Sequence, residues 1–429
     1  MTSHKKNSQV NGISRGSPRG PWLAAYILSN IIGLIVIVFS NQLIGDAEGK
    51  PLTSTTTAVA ATLIICCAYL IILGPLFRNL NRINFSDKKN FTNGEGTSRR
   101  IGITMLVVQI LFFAFNLYFG VNTAGSASTK TSTPLSIIWV AIPADYLFIV
   151  YYSLYRESKL FHANLVTWAL SNATRGWSSF ILIIIFFEYC RLHRSGRINY
   201  KIVLTGLAAL ITLYPLITAA KWAFRAAAGT DLDLIGVASQ IELGAAADGY
   251  ETLMSDGIVH LIGRLHLTSM LTTVIDLSEK LQNEYEQGAF APFWKEGLPG
   301  IAYDLVFNGR KTIYIGTAIT GYADLGNPET FGDWNSSISY VGWFFIAPQH
   351  AALYLAYTLL LCIISVYLTK RCNGNALTQD GLWLAWLLYL LPPWWGAFIT
   401  YIQALIWMRI FQHLLTVQQR RTYAQINNH

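Results

Sequence analysis

The chain has 429 residues, of which 53% are hydrophobic and only 13% charged, with a formal net charge of +8. Soluble domains carry about 25% charged residues, so this composition excludes an ordinary soluble protein and points to a polytopic membrane protein. The positive charge does not argue for a nucleic-acid partner, because most basic residues cluster in short segments between apolar runs, where membrane topology accounts for them. The five cysteines, Cys66, Cys67, Cys190, Cys362 and Cys372, suggest neither a disulfide framework nor a metal site.

Residues 1–21 form a polar tail with Lys5, Lys6, Arg15 and Arg19. The apolar run 22–44 exceeds the roughly 7–15 residues of a signal-peptide core and reads as a first transmembrane helix. A second follows at 56–77. The segment 78–100 holds six Lys/Arg and reads as cytoplasmic. Spans three and four fall at 101–121 and 135–154. Asp145, inside the fourth, is expensive in hydrocarbon and is expected to face inward, either for function or to bond a neighbouring helix. The stretch 158–192 has basic residues at both ends and a break at Ser171–Gly176. It therefore reads as a hairpin of two short helices of about 17 residues each, with Arg175 at the outer turn. Span seven is 202–220. Span eight is 342–369. The last run, 380–417, is split by Pro392, Pro393, Trp394 and Trp395 into a final hairpin, leaving a tail at 418–429. The expected fold is an all-α polytopic membrane protein of about ten transmembrane helices. Helices one to seven occupy 22–220 and eight to ten occupy 342–417. Both termini are cytoplasmic.

Between spans seven and eight lies one large, partly helical extracytoplasmic loop, 221–341. It holds 15 of the 23 acidic residues. Turn formers in it alternate with aromatics, among which Trp294 and Tyr303 suit the C–H faces of sugar rings; anchoring at the membrane interface is the other reading of the same rings. Arg175 and Arg264, with Arg310 and Lys311, are the candidate cations for a diphosphate. A base for a sugar hydroxyl could be His260, His266 or His350, or a carboxylate such as Asp276 or Asp304. No Walker A loop, dinucleotide fingerprint, HExxH or GxSxG motif occurs. The lone Asp231-Leu232-Asp233 is a weak metal pattern. With no inner nucleotide-sugar domain, the donor is expected to be lipid-linked.

On this layout the chain resembles Wzy-type O-antigen and oligosaccharide repeat-unit polymerases and, more distantly, O-antigen ligases. The resemblance covers about residues 140–370. It rests on Ile142-Pro143 followed by the basic exit Tyr155-Arg156-Glu157-Ser158-Lys159, and on the turn Thr174-Arg175-Gly176. It rests also on Gly263-Arg264-Leu265 in the large loop, and on the approach from Asn335-Ser336-Ser337 to Ala347-Pro348. The resemblance implies a GT-C type glycosyltransferase of the bacterial inner membrane with its large loop in the periplasm. Such an enzyme polymerises undecaprenyl-diphosphate-linked repeat units into O-antigen or a related surface polysaccharide. It uses no metal or nucleotide cofactor. Its partners are a lipid-linked glycan donor and acceptor, membrane lipids and a chain-length regulator protein. Arg175 and Arg264 match the family arginines that bind diphosphate. His350 stands in a setting similar to a ligase histidine, displaced by one position. The turn of the last hairpin lacks the cation some members carry. An O-antigen ligase, or a flippase or other transporter of lipid-linked oligosaccharide, is the alternative; the absence of an internal repeat weakens the transporter reading.

Overall fold

A computed structural model of the chain describes residues 16–84, 95–122, 135–198, 201, 205–206, 263, 265–307, 313–325, 336–372 and 374–426. The regular structure of these residues is helical, and their only β pairing is two isolated bridges, Gln42 with Pro51 and Phe290 with Ile313. Five helical stretches are long and apolar enough to cross a membrane: Gly20–Ser40, Thr55–Arg82, Gly96–Phe119, Ser136–Tyr155 and Pro348–Arg371.

In chain order the helices are α1 (Gly20–Ser40), α2 (Thr55–Ile71), α3 (Phe77–Arg82), α4 (Glu95–Phe119), α5 (Ser136–Ala141), α6 (Ala144–Tyr155), α7 (Phe161–Thr174) and α8 (Ser179–Arg194). After the long loop begins come α9 (Thr268–Asp276), α10 (Ser278–Glu286), α11 (Leu298–Phe307), α12 (Ile315–Tyr322) and α13 (Gly342–Ile346). The chain closes with α14 (Ala351–Arg371), α15 (Ala376–Ala385) and α16 (Trp395–Ile426). Prolines punctuate this series, because each lacks the N–H that the helical ladder needs. Pro75 sits in the π turn Ile72–Leu76 that joins α2 to α3. Pro143 divides the expected fourth span into α5 and α6, and Pro348 opens the 3-10 turn ahead of α14, which begins at Ala351, nine residues later than the expected start of span eight at 342. Pro392 and Pro393 separate α15 and its π turn Trp386–Leu390 from α16, where the sequence places the break.

The bundle turns apolar side chains outward and buries polar ones within an otherwise apolar core. Leu28, Ile32 and Ile35 of α1, Val107, Ile110 and Leu111 of α4, and Leu353, Leu359 and Leu360 of α14 are exposed. Asn30, Thr62, Gln109, Asn116, Asn164 and Asn172 are buried. Water-soluble monomers rarely expose contiguous apolar faces of that extent, whereas polar groups turned inward are what hydrocarbon surroundings require.

Hydrogen bonds sort the helix ends into two groups. At the charged end, Asp380 of α15 is fully buried and pairs with Arg19, just before α1, at 2.8 Å and with Arg194 of α8 at 2.8 Å. Nearby, Glu188 bonds Arg156 Nε at 2.6 Å and Arg191 at 2.7 Å, and Lys370 donates to Asn81 O at 2.7 Å. At the loop end, Trp177 Nε1 donates to Asn122 O at 3.1 Å, and Ser337 Oγ donates to Pro392 O at 2.8 Å.

Part of the long loop enters the bundle. The buried Asn30, midway along α1, accepts the N–H of Leu267 at 2.9 Å and the hydroxyl of Thr268 at 3.2 Å. Thr62 of α2 lies 3.2 Å from the same Thr268 hydroxyl. Residues Thr268 to Val274 are all buried, so α9 is a plug between α1 and α2.

Candidate functional site

The site is assembled where the second half of the loop meets the start of α16. Phe293–Lys295 form a single 3-10 turn, Glu296 follows in extended conformation, and Gly297 turns the chain into α11 with φ +73°. A Cβ at Gly297 would lie 2.8 Å from Gly396 Cα, so glycine serves both the left-handed turn and the close backbone approach. That approach seats Glu296 on the first turn of α16. Its carboxylate accepts the N–H groups of Trp395 and Gly396, donors that have no partner within their own helix and that lie at the positive end of the helix dipole.

Aromatic rings wall this carboxylate. Phe293 meets Tyr354 at 4.9 Å and Trp343 at 5.5 Å between ring centroids, while Trp395 meets Tyr357 at 5.3 Å and Tyr354 at 5.7 Å. Tyr354 and Tyr357 of α14 are within electrostatic reach of Glu296. On its other side, Tyr314 accepts the N–H of Gly297, and the charges of Glu296 and Asp304 both act on its phenol. Burial, reinforced by those two carboxylates, raises the Tyr314 phenol above its ordinary value. Several polar atoms around the ring have no hydrogen-bond partner among the described residues: Trp343 Nε1, Trp395 Nε1, the Tyr357 hydroxyl and Asp304 Oδ1. Each such buried group costs about 1–3 kcal/mol, a cost the fold carries beside Glu296.

Burial pushes the Glu296 carboxyl up to about 8, overriding the two N–H bonds that pull it down. The linkage has a definite sign. The folded state holds this proton more tightly than the unfolded chain, whose carboxyl keeps its ordinary value near 4.5. The stability this contributes is complete below pH 4.5 and is lost as pH rises through about 8. Thermal unfolding in detergent is expected to show a melting temperature that falls between about pH 5 and about pH 8 in the native chain and falls less in Glu296→Gln. Equal slopes would count against the burial of this carboxyl.

The residues singled out from sequence fall into three groups. Trp294, Tyr303, Asp304 and His350 surround the Glu296 turn. Trp294 is edge-on to His350 at 6.0 Å, and His350 Nδ1 lies 3.3 Å from the Tyr285 hydroxyl. Lys295 Nζ stands 3.8 Å over the ring of Tyr303. Arg175, His266 and Asp276 make their contacts elsewhere. Arg175 is buried, with Nη2 bonding both carboxylate oxygens of Asp145 at 2.9 Å and Nε bonding Ser171 O at 2.8 Å. His266 is buried against Gly33 and Gly45, with Nε2 2.9 Å from Ser269 Oγ. Asp276 accepts the hydroxyl of Thr53 at 2.5 Å. His260, Arg264, Arg310 and Lys311 lie outside the described residues.

Glu296 itself is not singled out by the sequence reading. Its only signal is a lone acid between Phe293-Trp294 and the turn Gly297-Leu298-Pro299-Gly300. Among the described residues no group of three His, Cys, Asp or Glu side chains is placed to hold a metal ion. No family model, no curated protein and no solved structure matches the chain.

Proposed function

We propose that this chain is a membrane glycosyltransferase that polymerises polyprenyl-diphosphate-linked oligosaccharide repeat units into O-antigen or a related surface polysaccharide. The observation that carries the reading is the site at Glu296: carboxylates, phenols and indoles gathered at the loop end of an apolar helix bundle. Aromatic faces and hydrogen-bonding rims are what a sugar ring binds. A location beside the helix ends is where the head group of a lipid-linked sugar would sit, with its tail among the exposed apolar side chains.

In this reading the loop end is periplasmic and both termini are cytoplasmic, in the inner membrane of a bacterium. The chain in this reading makes ten passes, one of them within 202–220, of which only residues 205–206 are described. The basic residues at the charged end, among them Arg19, Arg156, Arg191, Arg194 and Lys370, agree with a cytoplasmic placement. Lys295 is a cation within the site, and Arg264, Arg310 and Lys311 are further candidates for the diphosphate. Arg175 would serve it only by giving up Asp145, to which it is doubly bonded.

One observation favours a second reading. A buried carboxyl that titrates near neutral pH is also what a proton-driven flippase of lipid-linked oligosaccharide would use. A strain lacking the protein separates the two. Single-repeat glycolipid accumulating on the outer leaflet supports the polymerase, and the same lipid accumulating on the inner leaflet supports the flippase.

A further inference from the structure

Joining two sugars from a lipid diphosphate needs one proton removed and none supplied. The diphosphate leaves as a stable anion, whereas the attacking hydroxyl is a poor nucleophile until it loses its proton in the transition state. Resting on the polymerase reading above, we infer that Glu296 is the general base that takes this proton. In the step, the hydroxyl oxygen of the acceptor sugar forms a bond to the anomeric carbon of the donor. The bond from that carbon to the diphosphate oxygen breaks, and its electron pair leaves with the diphosphate. The proton of the hydroxyl passes to Glu296.

The geometry separates Glu296 from the other candidates. Of the other candidates among the described residues, His266 is committed to Ser269, His350 to Tyr285 and Asp276 to Thr53, while Asp304 leaves Oδ1 without a partner. Glu296 is held by backbone N–H groups alone, which fix its carboxylate without competing for the proton it would accept. Glu296 is half-buried as a residue, although its carboxyl is buried. The groups facing it come from every element that packs there. They are Tyr314 at the start of α12, Tyr354 and Tyr357 of α14, and the Trp395 and Gly396 amides of α16. Asp304 of α11 acts across Tyr314, and Lys295 is its neighbour in the chain. With burial the dominant influence, its carboxyl is poised near 8. A general base works best with its pKa near the operating pH.

A helix cap made of the same two N–H bonds is the competing role, and the glutamine variant tells them apart. Glutamine still accepts from Trp395 and Gly396 through its amide oxygen but takes no proton. The experiment uses the full-length protein in lipid nanodiscs with a synthetic polyprenyl-diphosphate oligosaccharide as both donor and acceptor. Elongation is followed in single turnover from about pH 6 to about pH 9. Native protein is expected to speed up about tenfold per pH unit below about 8 and to level off above it. Glu296→Gln is expected to bind the lipid-linked sugar as tightly as the native protein while elongating about 10²–10⁴-fold more slowly, with the pH dependence gone. Glu296→Asp, which keeps a carboxylate, is expected to recover part of the rate and to restore a pH-dependent profile. Glu296→Gln elongating at the native rate, or a flat native pH profile, would overturn the inference while leaving the polymerase reading intact. The native profile decides the matter even if Glu296→Gln does not fold. Native protein that elongates nothing at any pH removes the polymerase reading, and the base role with it.

Discussion

Asp145→Ala is expected to destabilise the folded protein by about 3–5 kcal/mol, because it strands the charge of Arg175 inside the bundle. The Arg175 side chain is only 6% exposed, against 25% for Asp145, and it lies 5.0 Å from the centre of the Phe112 ring. Removing the carboxylate leaves the guanidinium with Ser171 O and an aromatic face, neither of which carries a countercharge. The reverse substitution is milder. In Arg175→Ala the carboxylate keeps Asn172 Nδ2 at 3.1 Å and a quarter of its surface for solvation. The order of stabilities is therefore native, then Arg175→Ala, then Asp145→Ala. The double variant is expected to be more stable than the sum of the two losses predicts, because the stranded charge is gone. Thermal unfolding in detergent measures all four proteins. If Arg175→Ala proves the more destabilising single change, Asp145 rather than Arg175 is the buried partner. The same series bears on chemistry: an arginine this firmly paired stabilises the α6–α7 contact before it can bind anything.

The double variant Arg19→Ala with Arg194→Ala is expected to cost a similar amount, about 3–5 kcal/mol, by leaving Asp380 as an uncompensated buried charge. Asp380 is fully buried, and Arg194 bonds it through both Nε and Nη2 at 2.8 Å, while Arg19 Nε shares Oδ1. Either arginine alone leaves one guanidinium on the carboxylate, so each single variant should lose much less than half of the double. Asp380→Asn should also be milder than the double. Its two arginines are 19% and 37% exposed and can turn toward solvent or lipid head groups. Equal losses for Asp380→Asn and for the double arginine variant would show that the carboxylate is not the group that burial penalises. This cluster ties α1, α8 and α15 together at the charged end, so its loss should loosen the whole bundle rather than one helix.

The breaks in the bundle are legible in the sequence wherever a proline makes them. Pro392 and Pro393 mark the last turn because two consecutive residues cannot donate to the ladder, and α16 begins two residues later. Pro143 and Pro348 carry the same signal within stretches whose apolar character alone reads as continuous. Arg175 is legible as a charge between two short apolar runs. Asp145 is legible as an acid inside one, but their pairing across thirty residues has no local sign.

The α9 plug is hidden for a different reason. Thr268, Ser269, Thr272 and Thr273 look like surface residues by type. In the fold Thr272 and Thr273 donate to carbonyls one turn back, at 2.8 and 3.0 Å, and Thr268 and Ser269 find Asn30 and Ile44. A hydroxyl satisfied within its own helix can be buried without an external partner. Glu296 is hidden more deeply. Its partners are backbone N–H groups at the start of a distant helix, and every non-proline residue carries one. Only the tertiary contact of Gly297 with Gly396 selects those two. The candidate site was thus half visible, in its rings and its turn, while the group that gives it chemistry was not.

The most direct measurement is elongation by purified full-length protein in nanodiscs given only a polyprenyl-diphosphate-linked oligosaccharide, with product length read on a gel. A ladder of lengths, with one lipid diphosphate released for each glycosidic bond formed, is the predicted result. A substrate that stays one repeat unit long, yet crosses the bilayer of a proteoliposome when a proton gradient is imposed, would contradict it.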